Sequence, residues 1–398
     1  MSHRPTVSII GGGPAGLIAA DLLAGHCTVH VYERGRQVGR KFLVAGDGGL
    51  NITHSDAGER LFARYLPAER MRPYLHAFGP EALRAWLEGM GIPTFVGTSG
   101  RVFPQRGIKP YAVLAAMRER LRMKGVHVHL QHHFVGFNAH ARPVLEHAGG
   151  KVVVTEGLVL FALGGASWPV TGSTGDWVAP FRSIGVQVTD LAPSNCGVEI
   201  DLPDALAVHE GKPLKNIRIT CGTIAVHGEA TLTRTGLEGN AIYPVISAVR
   251  EALREHGQAV LEIDLKPDVT EEELQRRLSG AAWKERMAAL RLDRAQVALF
   301  KAFTPMQRFV DGSTLAHDVK HLQVPVHALR PIGEAISSAG GITWDELRDD
   351  LALVKHPHLY AAGEMIDWDA PTGGFLLQGA FALGHAAAMG MLKVLGGA

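Results

Sequence analysis

Three observations predict an α/β fold built on a parallel sheet. A β-branched run, a glycine turn, an apolar helix and an alternating strand follow one another within about 30 residues at the N-terminus, the size of one βαβ unit. A glycine-rich style found there returns only near the C-terminus, with a different texture between. Glycine itself is in excess: 47 of 398 residues, about 12% against a usual ~7%. The glycines gather in short motifs and form no repeat, so many tight backbone approaches are expected.

Taken in order, Val7 to Ile10 reads as a strand, Leu17 to Leu23 as an alanine-rich helix and Thr28 to Tyr32 as an alternating strand. Pro110 to Lys124 reads as an amphipathic helix with Leu114, Met117 and Leu121 on one face. Val126 to Phe137 and Lys151 to Thr155 read as strands, and Leu158 to Ala162 as a buried strand ending at Gly164-Gly165. From Val198 to Asp264 short alternating segments, split by Gly and Asn, suggest a small antiparallel domain. Residues 270 to 302 are charged and helical, with Thr270 as N-cap and Glu271, Glu272 and Glu273 at the positive dipole end. Phe375 to Leu392 is the most lipid-like stretch, but Gln378, His385 and three glycines interrupt it. A buried C-terminal helix is the better reading than a membrane span of about 20 apolar residues. The expected plan has residues 1–190 and 333–398 forming the α/β domain. Residues 191–268 and 304–332 form an inserted β domain, and 269–303 a small helical one.

Composition excludes several classes. The formal net charge is +1, so no global field recruits nucleic acid or an anionic membrane. Cys27, Cys196 and Cys221 cannot all pair and none lies in a C-x-x-C, which argues against a disulfide scaffold and a dithiol redox centre. The residues before Val7 show no signal-peptide pattern, and a cytoplasmic protein is expected.

The chemistry lies in Gly11-Gly12-Gly13-Pro14-Ala15-Gly16, a G-x-G-x-x-G placed between a strand and a helix. Gly11 permits the sharp turn, Gly13 lets backbone approach a pyrophosphate, and Gly16 lets the helix pack close to the sheet. The helix N-terminus, at Pro14 and Ala15, offers amide N–H groups and positive dipole to phosphates. The motif alone is weak, but Glu33 follows 22 positions after Gly11, at the end of the second strand, where an acid accepts hydrogen bonds from a ribose diol. Glu33 would also repel a 2′-phosphate. A dinucleotide site follows; which dinucleotide does not.

The segment from Val38 through Arg40, Lys41, Gly46 and Asn51 to Thr53-His54 resembles the signature of the YhiN-like (BaiN/RdsA-type) flavoproteins. Gly100-Arg101-Val102-Phe103-Pro104, Gly164 to Pro169, Thr171 to Asp176, and Ala362-Gly363-Glu364 through Asp367 to Gly373-Gly374-Phe375 agree, in order, over nearly the whole chain. The resemblance implies a Rossmann-like, glutathione-reductase-like FAD-binding domain interrupted by a β-barrel-like domain and a small helical domain. It implies FAD as cofactor, with Gly11, Gly13 and Gly16 at the pyrophosphate, Glu33 at the adenosine ribose, and Pro14, Ala15 and Arg34 also among the cofactor-binding residues. Arg40 and Lys41 would face the phosphates, and Gly46, Asn51, Thr53 and Gly164 would lie in the flavin-adjacent motifs. Val135 would meet the adenine through its backbone, Gly363, Glu364 and Asp367 would stand at the ribityl chain, and Gly373, Gly374 and Phe375 would open a helix aimed at the flavin. Where many members read G-G-G-R-C-N, this chain has Gly46-Asp47-Gly48-Gly49-Leu50-Asn51, closer to a subgroup with a G-G-L-N core. No chemistry resting on that Cys carries over.

The resemblance implies an FAD-dependent oxidoreductase moving hydride between a small organic substrate and flavin, with NAD(P)H or oxygen as the other partner. An amine (aminoketone) oxidase producing peroxide and a flavin-binding protein without turnover stay open. No second G-x-G-x-x-G marks a dedicated NAD(P)H domain, so NAD(P)H enters only as a transient donor. His127, His129, His132 and His133 read as a solvated strand edge and not as a metal site, and the same holds for His356 and His358. The basic run Arg118, Arg120, Arg122 and Lys124 lacks interleaved aromatics and reads as a solvated helix face; no nucleic-acid partner is expected. Cys196 reads as a buried structural thiol. Trp168 and His54 either line the pocket or pack against the ring. No side chain is assigned as catalytic.

Overall fold

The computed structural model describes residues 4–44, 49–155, 157–282, 284–311 and 313–396. Gly46 of the expected cofactor set lies outside them. The chain divides into two compact units, Met1–Ala192 with Ser337–Ala398, and Pro193–Ile336.

The first unit is built on five strands, β1 (Thr6–Ile10), β2 (Thr28–Glu33), β3 (His127–Leu130), β4 (Leu158–Phe161) and β5 (Leu359–Ala361). They pair in the order β5-β4-β1-β2-β3, all parallel, with Val7 facing Val29 on one side and Leu158 on the other. Val7, Ile9, Val29, Val31 and Val159 are buried, as a parallel sheet covered on both faces requires. Three helices matter for the site: α1 (Pro14–Leu23), α2 (Pro110–Met123) and α3 (Phe375–Val394). In α2, Val113, Leu114, Met117 and Leu121 turn inward, the 3.6-residue stripe of an amphipathic helix. Helix α3 is long and apolar enough to cross a membrane, yet 67% of its apolar window is buried inside the protein. It packs on α1 at backbone distance, since a Cβ at Gly384 would stand 2.3 Å from Ala15 O.

The stretch Val126 to Phe137, expected as one strand, is two. Gln131 turns into the left-handed region at φ 59°, and the N–H groups of Gln131 and His132 donate to Gly35 O and Glu33 O. The chain then leaves β3, and His133–Phe137 starts a separate antiparallel sheet with Pro143–His147 and Gly150–Val153. There Phe134 faces Leu145 and Gly136 faces Val144, so Val135 is the extra residue of a bulge.

The second unit holds a seven-stranded sheet in the order 322–326, 259–264, 213–221, 224–232, 236–238, 198–199, 328–329. Its two ends belong to one continuous stretch: 322–326 pairs with 259–264, and 328–329 pairs with 198–199. Helices 271–278 and 294–303 share one core with this sheet, through Leu274, Leu278, Leu299 and Phe300 beside Ile219, Leu261 and Val324. The Thr270 side chain accepts from Glu273 N. A helix at Ile246–His256 stands where only short strands were expected. Its buried Ile246 and Val249 are spaced by one turn, a period that outweighs the alternating pattern around it.

Candidate cofactor site

Strand β1 runs into the glycine turn because its last residues are held on both sides by the sheet. Gly11 takes φ 112° and donates to Tyr32 O. A Cβ there would sit 2.2 Å from Ala162 O, and one at Gly16 would sit 2.1 Å from Gly11 O. Both positions therefore exclude any side chain. Gly13 differs: a Cβ there would meet no atom of the described residues within 4 Å. It is the N-cap of α1, with extended backbone and no side-chain cap, and Pro14 opens the helix. The N–H groups of Ala15 and Gly16 thus belong to the unsatisfied first turn, next to open space.

Glu33 closes the turn from the end of β2. Its carboxylate accepts from Gly12 N at 2.9 Å and Gly35 N at 2.7 Å, which fixes both the glycine turn and the loop after β2. Arg34 points to the loop 172–176, donating to Gly172 O, Thr174 Oγ1 and Asp176 Oδ2, and His133 Nε2 lies 3.0 Å from the same Asp176 oxygen. Burial works to raise the Asp176 carboxyl, but the Thr174 hydroxyl, Arg34 and His133 outweigh it and hold it below its ordinary value. Val135 lies on the bulge, where its backbone is released from the ladder.

Arg40 and Lys41 open the helix Arg40–Val44. Arg40 is exposed, whereas Lys41 Nζ donates to Ser167 Oγ at 2.6 Å and to Glu364 Oε2 at 2.8 Å. The other Glu364 oxygen accepts from Ser338 N, and Ser338 Oγ accepts from Ala166 N. Gly164 O accepts from the buried Trp177 indole. One polar cluster therefore joins the loop after β2, the loop after β4 and the late segment after β5, all at the carboxyl ends of parallel strands, where open α/β sheets bind ligands. Gly363 lies beside Ala15, 3.1 Å from its Cβ were a methyl added. Asp367 Oδ2 accepts from Thr189 Oγ1 at 2.7 Å, and its carbonyl from the Trp344 indole.

Helix α3 begins at the same edge. Gly374, its N-cap, takes φ 104°, and a Cβ there would stand 2.4 Å from Thr53 O. Thr53 Oγ1 donates to Gln378 Oε1, and Gln378 Nε2 donates to Phe78 O. The Phe375 carbonyl accepts from Tyr65 OH at 2.8 Å; full burial pushes the Tyr65 phenol well above its ordinary value, so it stays a donor. The Phe375 ring stacks on His54, centroids 4.8 Å apart. Two buried oxygens, Asn51 Oδ1 and Ser173 Oγ, have no hydrogen-bond partner among the described residues, although buried polar atoms are paired as a rule. Gly373 completes this edge beside the Arg101 side chain.

Sequence reasoning missed Ser167, Ser338, Tyr65 and Gln378. Ser167 lies inside the Gly164–Pro169 motif, and Gln378 stood out as an amide in an otherwise apolar helix. Within the basic run, Arg120 and Lys124 pair with Asp21 at 2.8 and 2.6 Å, and Arg122 pairs with Glu119 at the surface. Cys27, Cys196 and Cys221 are buried.

A parallel sheet whose first turn is bare at Gly13 and tied to an acid on the next strand defines a nucleotide-binding protein of the Rossmann class. The HI0933-like protein Rossmann domain family matches residues 5–390. The chain belongs to that family, the flavoprotein family its motifs resemble, and it is an FAD-dependent oxidoreductase. It is similar to the 3-dehydro-bile acid delta(4,6)-reductase of Clostridium scindens, 22% identical over 96% of this chain and 97% of the relative. Among solved structures it is similar to the 3-ketosteroid delta1-dehydrogenase of Sterolibacterium denitrificans, crystallised with 1,4-androstadiene-3,17-dione. That likeness has a TM-score of 0.55 and 14% identity, covering 98% of this chain and all (100%) of the other, and it is one of fold.

Proposed function

We propose that this chain moves hydride between a small organic substrate and FAD, with NAD(P)H or oxygen as the other redox partner. The observation that carries the reading is the open space at Gly13 between two glycines whose Cβ positions are filled by backbone. Such a turn admits a pyrophosphate against bare N–H groups. The residues present fit the dinucleotide at further points. Glu33 is held rigid by two backbone donors with lone pairs to spare for a ribose diol. The Val135 bulge frees backbone groups for an adenine edge, and Asn51 Oδ1 and Ser173 Oγ, without a partner among the described residues, can accept hydrogen bonds.

In this reading Gly11, Gly13, Pro14, Ala15 and Gly16 hold the pyrophosphate, and Glu33, with Arg34 behind it, the adenosine. Lys41 and Glu364, fixed to each other, together with Arg40, Gly164, Gly363 and Asp367, would line the cofactor. When bound, FAD supplies a ring that accepts and returns a hydride. The chain's part is electrostatic and steric. The α3 N-terminus, with Gly373, Gly374 and Phe375 pinned to Thr53 by Gln378, offers positive dipole to negative charge. His54, stacked on Phe375, and Asn51 would help orient the bound ring. The name of the Clostridium relative sets the first substrate class to try: a ketone conjugated to carbon–carbon double bonds.

The test is anaerobic absorbance of FAD-loaded protein before and after NADH, then NADPH. Rapid bleaching of the flavin band by either supports the NAD(P)H-linked reading. No bleaching by either, with oxygen uptake on an amine substrate, would replace it with an oxidase.

A further inference from the structure

We propose that Glu271, His317 and His321 in the second unit form a binding site for a divalent transition-metal ion, of which zinc is the best fit. One ligand atom from each of the three lies within 4.8 Å of the others. The site follows from two helix ends. Glu271 opens the helix 271–278, whose first turn is fixed by the Thr270 side chain on Glu273 N. His317 lies in the helix 315–320, and His321 caps it, its N–H donating to His317 O. The two histidines are four positions apart, so their rings share a helix face, with centroids 4.5 Å apart. His317 Nδ1 stands 3.4 Å from Glu271 Oε2.

The donor set decides the ion. Two imidazoles and one carboxylate suit zinc and its neighbours, and do not suit calcium or magnesium, which take oxygen cages. Ligands about 2.1 Å from a tetrahedral zinc stand roughly 3.4 Å apart. The three atoms reach that spacing by small side-chain rotations, with water completing the shell. A second carboxylate, Glu262 Oε1, lies 3.2 Å from His321 Nδ1 and makes that ring a better donor. The nearest cation in sequence, Lys320, is engaged elsewhere: its Nζ pairs with Asp264 Oδ2 at 2.7 Å and donates to Lys266 O and Val269 O. The side chains of Glu271, His317 and His321 keep 40, 58 and 42% of their exposure, so the ion enters from solvent and ties one helix to the other.

The test uses untagged full-length protein and zinc ion alone, titrated in competition with a colorimetric chelator. The comparison proteins are His317→Ala/His321→Ala and Glu271→Gln. The expected result is one more zinc equivalent in wild type than in the double histidine variant at micromolar free ion. Glu271→Gln, which keeps the side-chain shape, weakens that equivalent by at least about tenfold, since even outer-shell partners cost 10–100-fold. The same equivalent raises the melting temperature of wild type and not of the histidine variant. Equal stoichiometry and affinity in wild type and Glu271→Gln would overturn the proposal even if the histidine variant failed to fold. So would the absence of any zinc uptake by wild type at these concentrations.

Discussion

Gly13 separates binding from folding better than any other residue of the turn. Its backbone is extended at φ −84°, ψ −175°, and it caps α1 without a side chain. An Asp there suits the same extended conformation, its Cβ meets no described atom within 4 Å, and its carboxylate is of the type that caps a helix. Gly13→Asp should therefore leave the flavin-free protein within about 0.5 kcal/mol of wild type, or slightly more stable. It should weaken FAD by at least about a hundredfold, because two like charges a few ångström apart repel by about 4 kcal/mol at an effective dielectric of 20. Thermal melting without flavin and a flavin titration check the two halves. The glycines and Glu33 were legible in the sequence because backbone sterics and a fixed spacing leave few alternatives. The partner of Lys41 was not, because Glu364 lies 323 positions away and only the sheet brings the two together. Gln378→Leu tests the other end of the site. It strips partners from the buried Thr53 hydroxyl and Phe78 carbonyl, and a loss of about 1–3 kcal/mol in denaturant unfolding is expected.

At the scale of elements, α1 and α2 are joined by one buried acid. The Asp21 side chain is 2% exposed and meets Arg120 and Lys124 of the α2 C-terminal end, with the Trp86 indole as a third donor. Burial works to raise its carboxyl, but those three hydrogen bonds prevail and hold it below the ordinary 3.8. A carboxyl depressed in the folded state contributes stability above its unfolded value, and that contribution disappears as pH falls through the acid range. Asp21→Asn should cost about 1.5–3 kcal/mol at neutral pH, the scale of hydrogen bonds to a charged group, and less below pH ~4, where wild type loses the same interaction. Urea unfolding at two pH values measures this. The existence of α1, α2 and β1 to β3 was legible from periodicity and caps. The break at Gln131 was not, since it depends on acceptors at Glu33 and Gly35 in another strand. The helix 246–256 was hidden by alternating neighbours although its own apolar spacing is helical.

For the whole molecule, four imidazoles set the response to mild acid. Burial pushes His30, His129, His358 and His385 below their ordinary 6.5. The unfolded chain then binds more protons than the folded one as pH falls through 6.5, so stability present above that value drains away below it. Melting temperature should fall between pH 7.5 and 5.5, well before Asp21 contributes. The second unit has its own core, and its ends meet where Ile336 N donates to Asn195 O at 3.2 Å. Residues 193–336 expressed alone should therefore unfold cooperatively; a fragment without a cooperative transition contradicts that. FAD binding by the first unit is decided by one spectrum: the absorbance of wild type and Gly13→Asp after incubation with FAD and removal of the unbound cofactor. Wild type should show a flavin band at one equivalent and the variant none, with both proteins folded. Folded wild type without a flavin band, or a variant that binds FAD as tightly as wild type, would contradict it.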